Sequence, residues 1–140
     1  MRPTTLALVR CLAFAPLLSS CRATSPLSPC AQGSWRGSAG ITVTFQLTAN
    51  PTCQDSQTNV QLSGTGTFEM GPPVALLIAG TQVDSALFIT YVSSDSSLIG
   101  SFRGVFVRPD SASGILTWAQ RPLGTLGYVI ANGPFGLARQ

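Results

Sequence analysis

The chain has 140 residues with eight Arg, no Lys, no His and five acids, for a formal net charge of +3. The absence of His removes the commonest general base and both the Ser-His-Asp and Cys-His nucleophile arrangements, and the absence of Lys removes Schiff-base and Ser-Lys chemistry. Dispersed Arg in a chain only 9% charged leaves no electrostatic footprint for nucleic acid.

In chain order, Arg2 and Arg10 come ahead of an apolar run, Cys11 to Leu18. That run is at the short end of the roughly 7 to 15 residues of a signal h-region and well below the roughly 20 of a spanning helix. It ends in Leu18-Ser19-Ser20-Cys21, which resembles the lipobox of bacterial lipoprotein precursors. The resemblance implies a diacylglycerol thioether on Cys21, cleavage before it, and an acylated N-terminus that holds the protein to a membrane. Residues 1–20 are then a signal peptide and residues 21–32 a lipidated Cys and tether, with Ser25, Pro26, Ser28 and Pro29 in the tether. Arg22 stands where an Asp commonly retains such proteins at the inner membrane, so the resemblance implies the outer membrane. An ordinary secretory signal cut elsewhere, or an apolar core segment preceding a Cys, are the alternatives.

With Cys11 removed and Cys21 acylated, Cys30 and Cys53 remain as an even pair in an exported chain, for which a disulfide is the default. Two Cys without a His make a poor zinc site, so no metal is expected.

From Gly33 onward the period is that of strands. Gly33 to Ala39 opens the series, and Ile41-Thr-Val-Thr-Phe-Gln-Leu-Thr48 alternates strictly, with Ile41, Val43, Phe45 and Leu47 on one face. Val60 to Phe68 follows, with Val60, Leu62 and Phe68 inward, Gln61, Ser63, Thr65 and Thr67 outward, and Gly64 and Gly66 on the inward face, where glycine signals bending. Gly71-Pro72-Pro73 breaks the chain before Val74 to Ala79, and Gly80-Thr81 reads as a turn into Gln82 to Val92. Leu98 to Val107 places Phe102 and Phe106 opposite Ser101 and Arg103. Pro109 to Gly114 reads as a turn before Ile115 to Ala119. Tyr128 to Ala131 and Phe135 to Arg139 are two strand pieces separated by Asn132-Gly133-Pro134. About eight strands at regular spacing, with no helical period, predict an all-β sandwich or barrel over residues 33–140.

Gly33-Ser34-Trp35 resembles the Gly-x-Trp opening of calycins, the lipocalin and avidin group of up-and-down barrels. The later pattern is similar to bacterial lipoproteins with calycin-like barrels: Trp35-Arg-Gly37, Gly64-Thr-Gly66, Phe102-Arg-Gly104, Gly114-Ile-Leu116 and a terminal Leu137-Ala-Arg139. The resemblance implies a single eight-stranded antiparallel barrel, with Trp35 plugging one end and an Arg of the last strand lying across its ring. Arg139 is the candidate for that role and Arg121 the runner-up. The second and third lipocalin motifs are not visible, and the avidin biotin contacts do not map onto this sequence.

The acids point to no catalytic pair. Asp55, Asp95 and Asp110 sit in turns, Glu69 ends a strand, and Asp84 reads as a strand residue directed outward. The sequence therefore predicts no enzyme and no cofactor. One expectation is an envelope lipoprotein of structural or interaction type, with the membrane and an envelope protein as partners. The other is a carrier holding a small apolar ligand among Phe45, Phe88, Tyr91, Phe102 and Trp118.

Overall fold

The structure is a computed structural model that describes residues 29–53, 59–122 and 124–140. Cys21 and residues 1–20, expected from the sequence to be a signal peptide, lie outside the described residues, as does Asp55. The strands are β1 (Gly33–Ser38), β2 (Thr42–Asn50), β3 (Asn59–Glu69), β4 (Val74–Val83), β5 (Ala86–Ser93), β6 (Leu98–Arg108), β7 (Ser111–Gln120) and β8 (Val129–Arg139). Each pairs antiparallel with the next, and β8 returns to β1, so the sheet is a closed eight-stranded up-and-down barrel.

Alternation along each strand decides what fills the barrel, because successive side chains point to opposite faces. Val43, Phe45 and Leu47 of β2, Leu87, Ile89 and Tyr91 of β5, and Phe102 of β6 are all buried inside. The end of the barrel that receives the start of β1 and the C-terminus also carries the turns between β4 and β5 and between β6 and β7. We call it the closed end, and the opposite one the loop end.

Glycine makes room for the aromatics inside. A Cβ on Gly100 would lie 2.4 Å from the Tyr91 ring and 2.4 Å from the Thr117 carbonyl oxygen, and one on Gly104 would lie 2.7 Å from the Phe102 ring. Real Cβ atoms do not approach that closely, so the large rings of β5 and β6 require these hydrogens.

Three segments depart from the sequence-based expectation, two of them because glycine lies close against the backbone of the neighbouring strand. Gly80 is no turn: β4 runs unbroken to Val83, and Gly80 is small because a Cβ there would sit 2.3 Å from the Phe88 carbonyl oxygen. Likewise β7 begins at Ser111, with Gly114 inside the strand, where a Cβ would meet the Arg103 carbonyl oxygen at 2.0 Å. The hairpin turn falls instead at Asp84-Ser85, and Asp84 has a positive φ of 52°, a turn conformation that Asp tolerates better than most side chains.

The third departure is β8, which passes straight through Asn132-Gly133-Pro134. The amide of Arg139 donates to Asp110 on the β7 side, and that of Gln140 donates to Ser34 of β1. Alternation then aims the amides of odd-numbered residues at β7 and of even-numbered ones at β1. Pro134 is even, and β1 pairs with β8 only at Trp35–Arg139 and Arg36–Ala138. Its missing N–H faces a side with no ladder partner, the one place a strand accepts proline.

Gly100→Ala is expected to lower stability by about 1–3 kcal/mol through overpacking, read as a shift of the urea unfolding midpoint. Gly71→Ala, in the loop between β3 and β4 with nothing within 4 Å of its Cβ, is expected to leave the midpoint in place.

Candidate functional site

The closed end is the most elaborately bonded part of the barrel. Residues Cys30 to Gln32 lie across it just before β1. Trp35 is buried, its indole N–H donates to the Ala31 carbonyl at 2.7 Å, and its ring tilts against Phe106 with centroids 5.6 Å apart. The Arg139 guanidinium lies 4.5 Å from the Trp35 ring centroid. It also donates to the Gln32 carbonyl at 2.6 Å and to the Cys30 carbonyl. The structure thus brings Trp35 and Arg139 together, while Arg121 lies at the loop end, 5.9 Å over the Tyr128 ring.

Gln82, the last inward residue of β4, serves the same segment. It is buried, its Oε1 accepts from the Ala31 amide at 2.8 Å, and its Nε2 donates to the Asp84 carbonyl at 2.9 Å and to the Pro29 carbonyl. Sequence reasoning passed over Gln82; the signal available was a lone amide at an inward position of an apolar strand. Its hydrogen bonds are all spent on backbone, so it offers nothing to a ligand. Cys30 is disulfide-bonded to Cys53, which ties the segment to the chain leaving β2, with Cα atoms 5.9 Å apart.

The interior above this closure is filled. Phe45, Tyr91 and Phe68 stack with centroids 6.0 and 6.3 Å apart, and Trp118 packs on Phe68 at 5.9 Å. The Tyr91 hydroxyl donates to the Thr117 carbonyl at 3.0 Å, and burial raises its pKa well above the ordinary phenol value. Of the five aromatics expected around a ligand, Phe45, Tyr91 and Phe102 are buried among themselves and Trp118 is half-buried. Phe88 corrects the expectation: it faces outward, beneath the Arg103 guanidinium at 4.9 Å, because Leu87 and Ile89 take the inward positions of β5.

A hollow of about 270 Å³ opens at the loop end, lined by Phe68, Met70, Pro72, Val74, Leu98 and Gln120. Two larger depressions, about 370 and 410 Å³, lie on the outer wall: Val83, Ala86, Phe88 and Arg103 line the first with Leu87 and Gly104, and Ser34, Arg36, Thr44 and Thr67 line the second with Trp35, Phe45 and Gly66 between them. The turn above β5 is spent locally. Asp95 accepts from the Ser97 hydroxyl at 2.7 Å, the Ser97 amide at 3.0 Å and the Ser93 hydroxyl at 2.7 Å. The Ser97 contacts first, then that from Ser93, lower its pKa to about 2. Among the described residues no three His, Cys, Asp or Glu side chains come together to hold a metal ion.

Replacing Cys30 and Cys53 together by Ser is expected to cost roughly 3 kcal/mol in the loop-entropy account, measured by denaturant unfolding; a loss under about 1 kcal/mol would show that Gln82 and Arg139 hold the segment unaided. Arg139→Ala removes the stacking on Trp35 and two hydrogen bonds, and is expected to lower the thermal midpoint and raise amide exchange at Arg36, whose N–H faces β8. Unchanged exchange there would show that the β1–β8 seam holds without the side chain.

No family model matches the chain, and no curated protein matches it. Among solved structures it is similar to the crystal structure of a rhizavidin–biotin complex, with a TM-score of 0.49 and 17% identity, covering 77% of this chain and 98% of that one.

Proposed function

We propose that the protein is an envelope lipoprotein, acylated at Cys21 and held to a membrane, with the outer membrane as its address. On this reading it acts through the outside of a filled barrel, as a structural or interaction module, and neither turns over a substrate nor carries a ligand. The observation that carries the reading is the packed interior: Phe45, Phe68, Tyr91, Phe102 and Leu116 are buried there, and Gln82, Ser93 and the Tyr91 hydroxyl have partners within the protein, leaving Gln32 Oε1 at the closed end as the buried side-chain oxygen without one among the described residues. Ligand sites are usually hollows of about 300 Å³ or more with a few convergent, unspent polar groups. The loop-end hollow is about 270 Å³ and lined mainly by apolar residues, and the two depressions above that size, about 370 and 410 Å³, lie on the outer wall and not in the interior. Acylation is supported by Leu18-Ser19-Ser20-Cys21 following a short apolar run, and two or three acyl chains would anchor the protein stably at about 0.8 kcal/mol per buried CH₂.

Mass spectrometry of the membrane fraction is expected to find a lipid-modified N-terminal peptide beginning at Cys21, and a soluble, unmodified mature chain would overturn the anchor. Native mass spectrometry of protein purified from its own host is expected to show the bare chain mass plus the acyl groups. A stoichiometric co-purifying small molecule would replace this reading with ligand carriage.

A further inference from the structure

A closed barrel ordinarily leaves no strand edge. This one keeps a short edge, because β1 has six residues and β8 eleven. Continuing the register of Trp35–Arg139 and Arg36–Ala138 toward the loop end would set residues 40, 42 and 44 beside Pro134, Asn132 and Ile130. The chain has turned back by then, and Thr42 and Thr44 stand in β2, opposite Ser38 and Arg36. The peptide groups of Ile130, Asn132 and Pro134 aim at this vacated lane, and no backbone hydrogen bond of a turn or loop among the described residues reaches them. From Ile130 to Pro134 the lane is about 14 Å long at roughly 3.4 Å per residue.

Strand edges are normally blunted by charges, bulges or proline. From Val129 to Ala138 β8 has no charged residue, and its ladder to β7 runs without a register shift. Pro134 blunts one end only. Val129 and Ile130 are 62% and 69% exposed beside the open peptide groups. The inner side has room as well. Phe135 and Leu137 are buried, so alternation turns Ala131 and Gly133 inward. A Cβ on Gly133 would meet nothing within 4 Å, in contrast with the crowded Gly100, Gly104 and Gly114.

We propose that this edge accepts an extended segment of another protein as an added strand. The proposal rests on the reading of the barrel as an interaction module, and it names the kind of partner. In strand addition the main-chain hydrogen bonds supply affinity and alternate side chains supply selectivity. The N–H and C=O groups of Ile130 and Asn132, with the Pro134 carbonyl, match a segment about as long as the lane. The residues of that segment facing β8 must carry an N–H, which excludes proline from those positions. One face of the segment meets Ile130 and the other the open space at Gly133 beside Ala131, so both faces call for small or branched apolar side chains. A charge would lose water beside Val129 and Ile130 with no opposite charge on this stretch of the strand, so the segment is uncharged.

The test is amide NMR on the full isotope-labelled chain in detergent micelles, with a capped hexapeptide of alternating Thr and Val as the probe. Before peptide is added, the amides of Ile130 and Asn132 are expected to exchange fast, while those of Ala131 and Gly133, which face β7, are protected. The peptide is expected to slow Ile130 and Asn132 about tenfold once roughly nine-tenths of the chain is bound. The same peptide N-methylated at every residue is expected to do nothing. Asn132→Pro removes one open N–H in the way that Pro134 already does and is expected to abolish the slowing. Ile130→Asp, which leaves the backbone unchanged, is expected to weaken binding at least as far as the lost apolar contact requires. Protection of Ile130 and Asn132 without peptide, no response there at millimolar peptide, an equal response to the N-methylated peptide, or undiminished binding by both variants would each overturn the proposal while leaving the filled interior in place. Shifts confined to Phe68 and Trp118 would put the peptide in the loop-end hollow and overturn both.

Discussion

Barrel closure depends on the contact between Trp35 and Arg139, because the seam they span is so short. β1 and β8 share only two residue pairs, Trp35–Arg139 and Arg36–Ala138, whereas β3 and β4 are paired from Asn59–Val83 to Phe68–Val74. The backbone of the seam is therefore weak, and side chains must add to it. Arg139 does so twice: its guanidinium lies on the face of Trp35, an arrangement worth about 0.5–2 kcal/mol, and it donates to the carbonyls of Gln32 and Cys30 ahead of β1. Trp35 in turn holds Ala31 by its indole N–H. First strand, last strand and leading segment are thus fastened at one point, and the disulfide connects that point to the chain leaving β2.

Most of the interior polar chemistry of the described residues is consumed in that closure and in the turns, with Gln32 Oε1 left buried there without a partner. Gln82 is an interior amide facing a polar backbone segment, and it exhausts both ends of its side chain on Ala31, Pro29 and Asp84. Ser93 and Asp95 order the turn from β5 into β6. What remains inside is aromatic and aliphatic surface in mutual contact, with glycine hydrogens opposite the rings. A small barrel has an interior just wide enough for side chains to fill or for one small guest. Here Phe45, Phe68, Tyr91, Phe102 and Leu116, from β2, β3, β5, β6 and β7, take that space, and the surface left for recognition is the outer one.

That surface is polarised around the barrel axis. Hydroxyl and amide side chains cover β1–β3, where Thr44 and Thr67 bond to each other across strands at 2.6 Å, while β4–β8 present aliphatic side chains. The polar side needs only water. The apolar side is unusual for a wall whose inner face is already the core, since an antiparallel sheet with one face buried normally keeps the other polar.

Several features were fixed by residue type and spacing alone. Strict alternation from Ile41 to Thr48 and from Val60 to Phe68 gave both strands and their inward faces, because a period of two has one solution when one face is buried. The even pair Cys30 and Cys53, read as belonging to an exported chain, gave the disulfide, and the opening Trp with a terminal Arg carried the barrel resemblance. Other features were invisible locally. Gly80 and Gly114 carry the signature of turns in one dimension, and only the strand beside each, with its carbonyl oxygen about where a Cβ would go, makes them interior strand residues. Pro134 reads as a break until the seam leaves its nitrogen without a ladder partner. Phe88 and Phe102 are equally apolar in sequence, yet one lies outside and the other inside, because parity within a strand is set by the neighbours that fill the core. The open edge of β8 from Ile130 to Pro134 depends on where β1 turns back beside it, so cross-strand register, a tertiary property, decides that it exists at all.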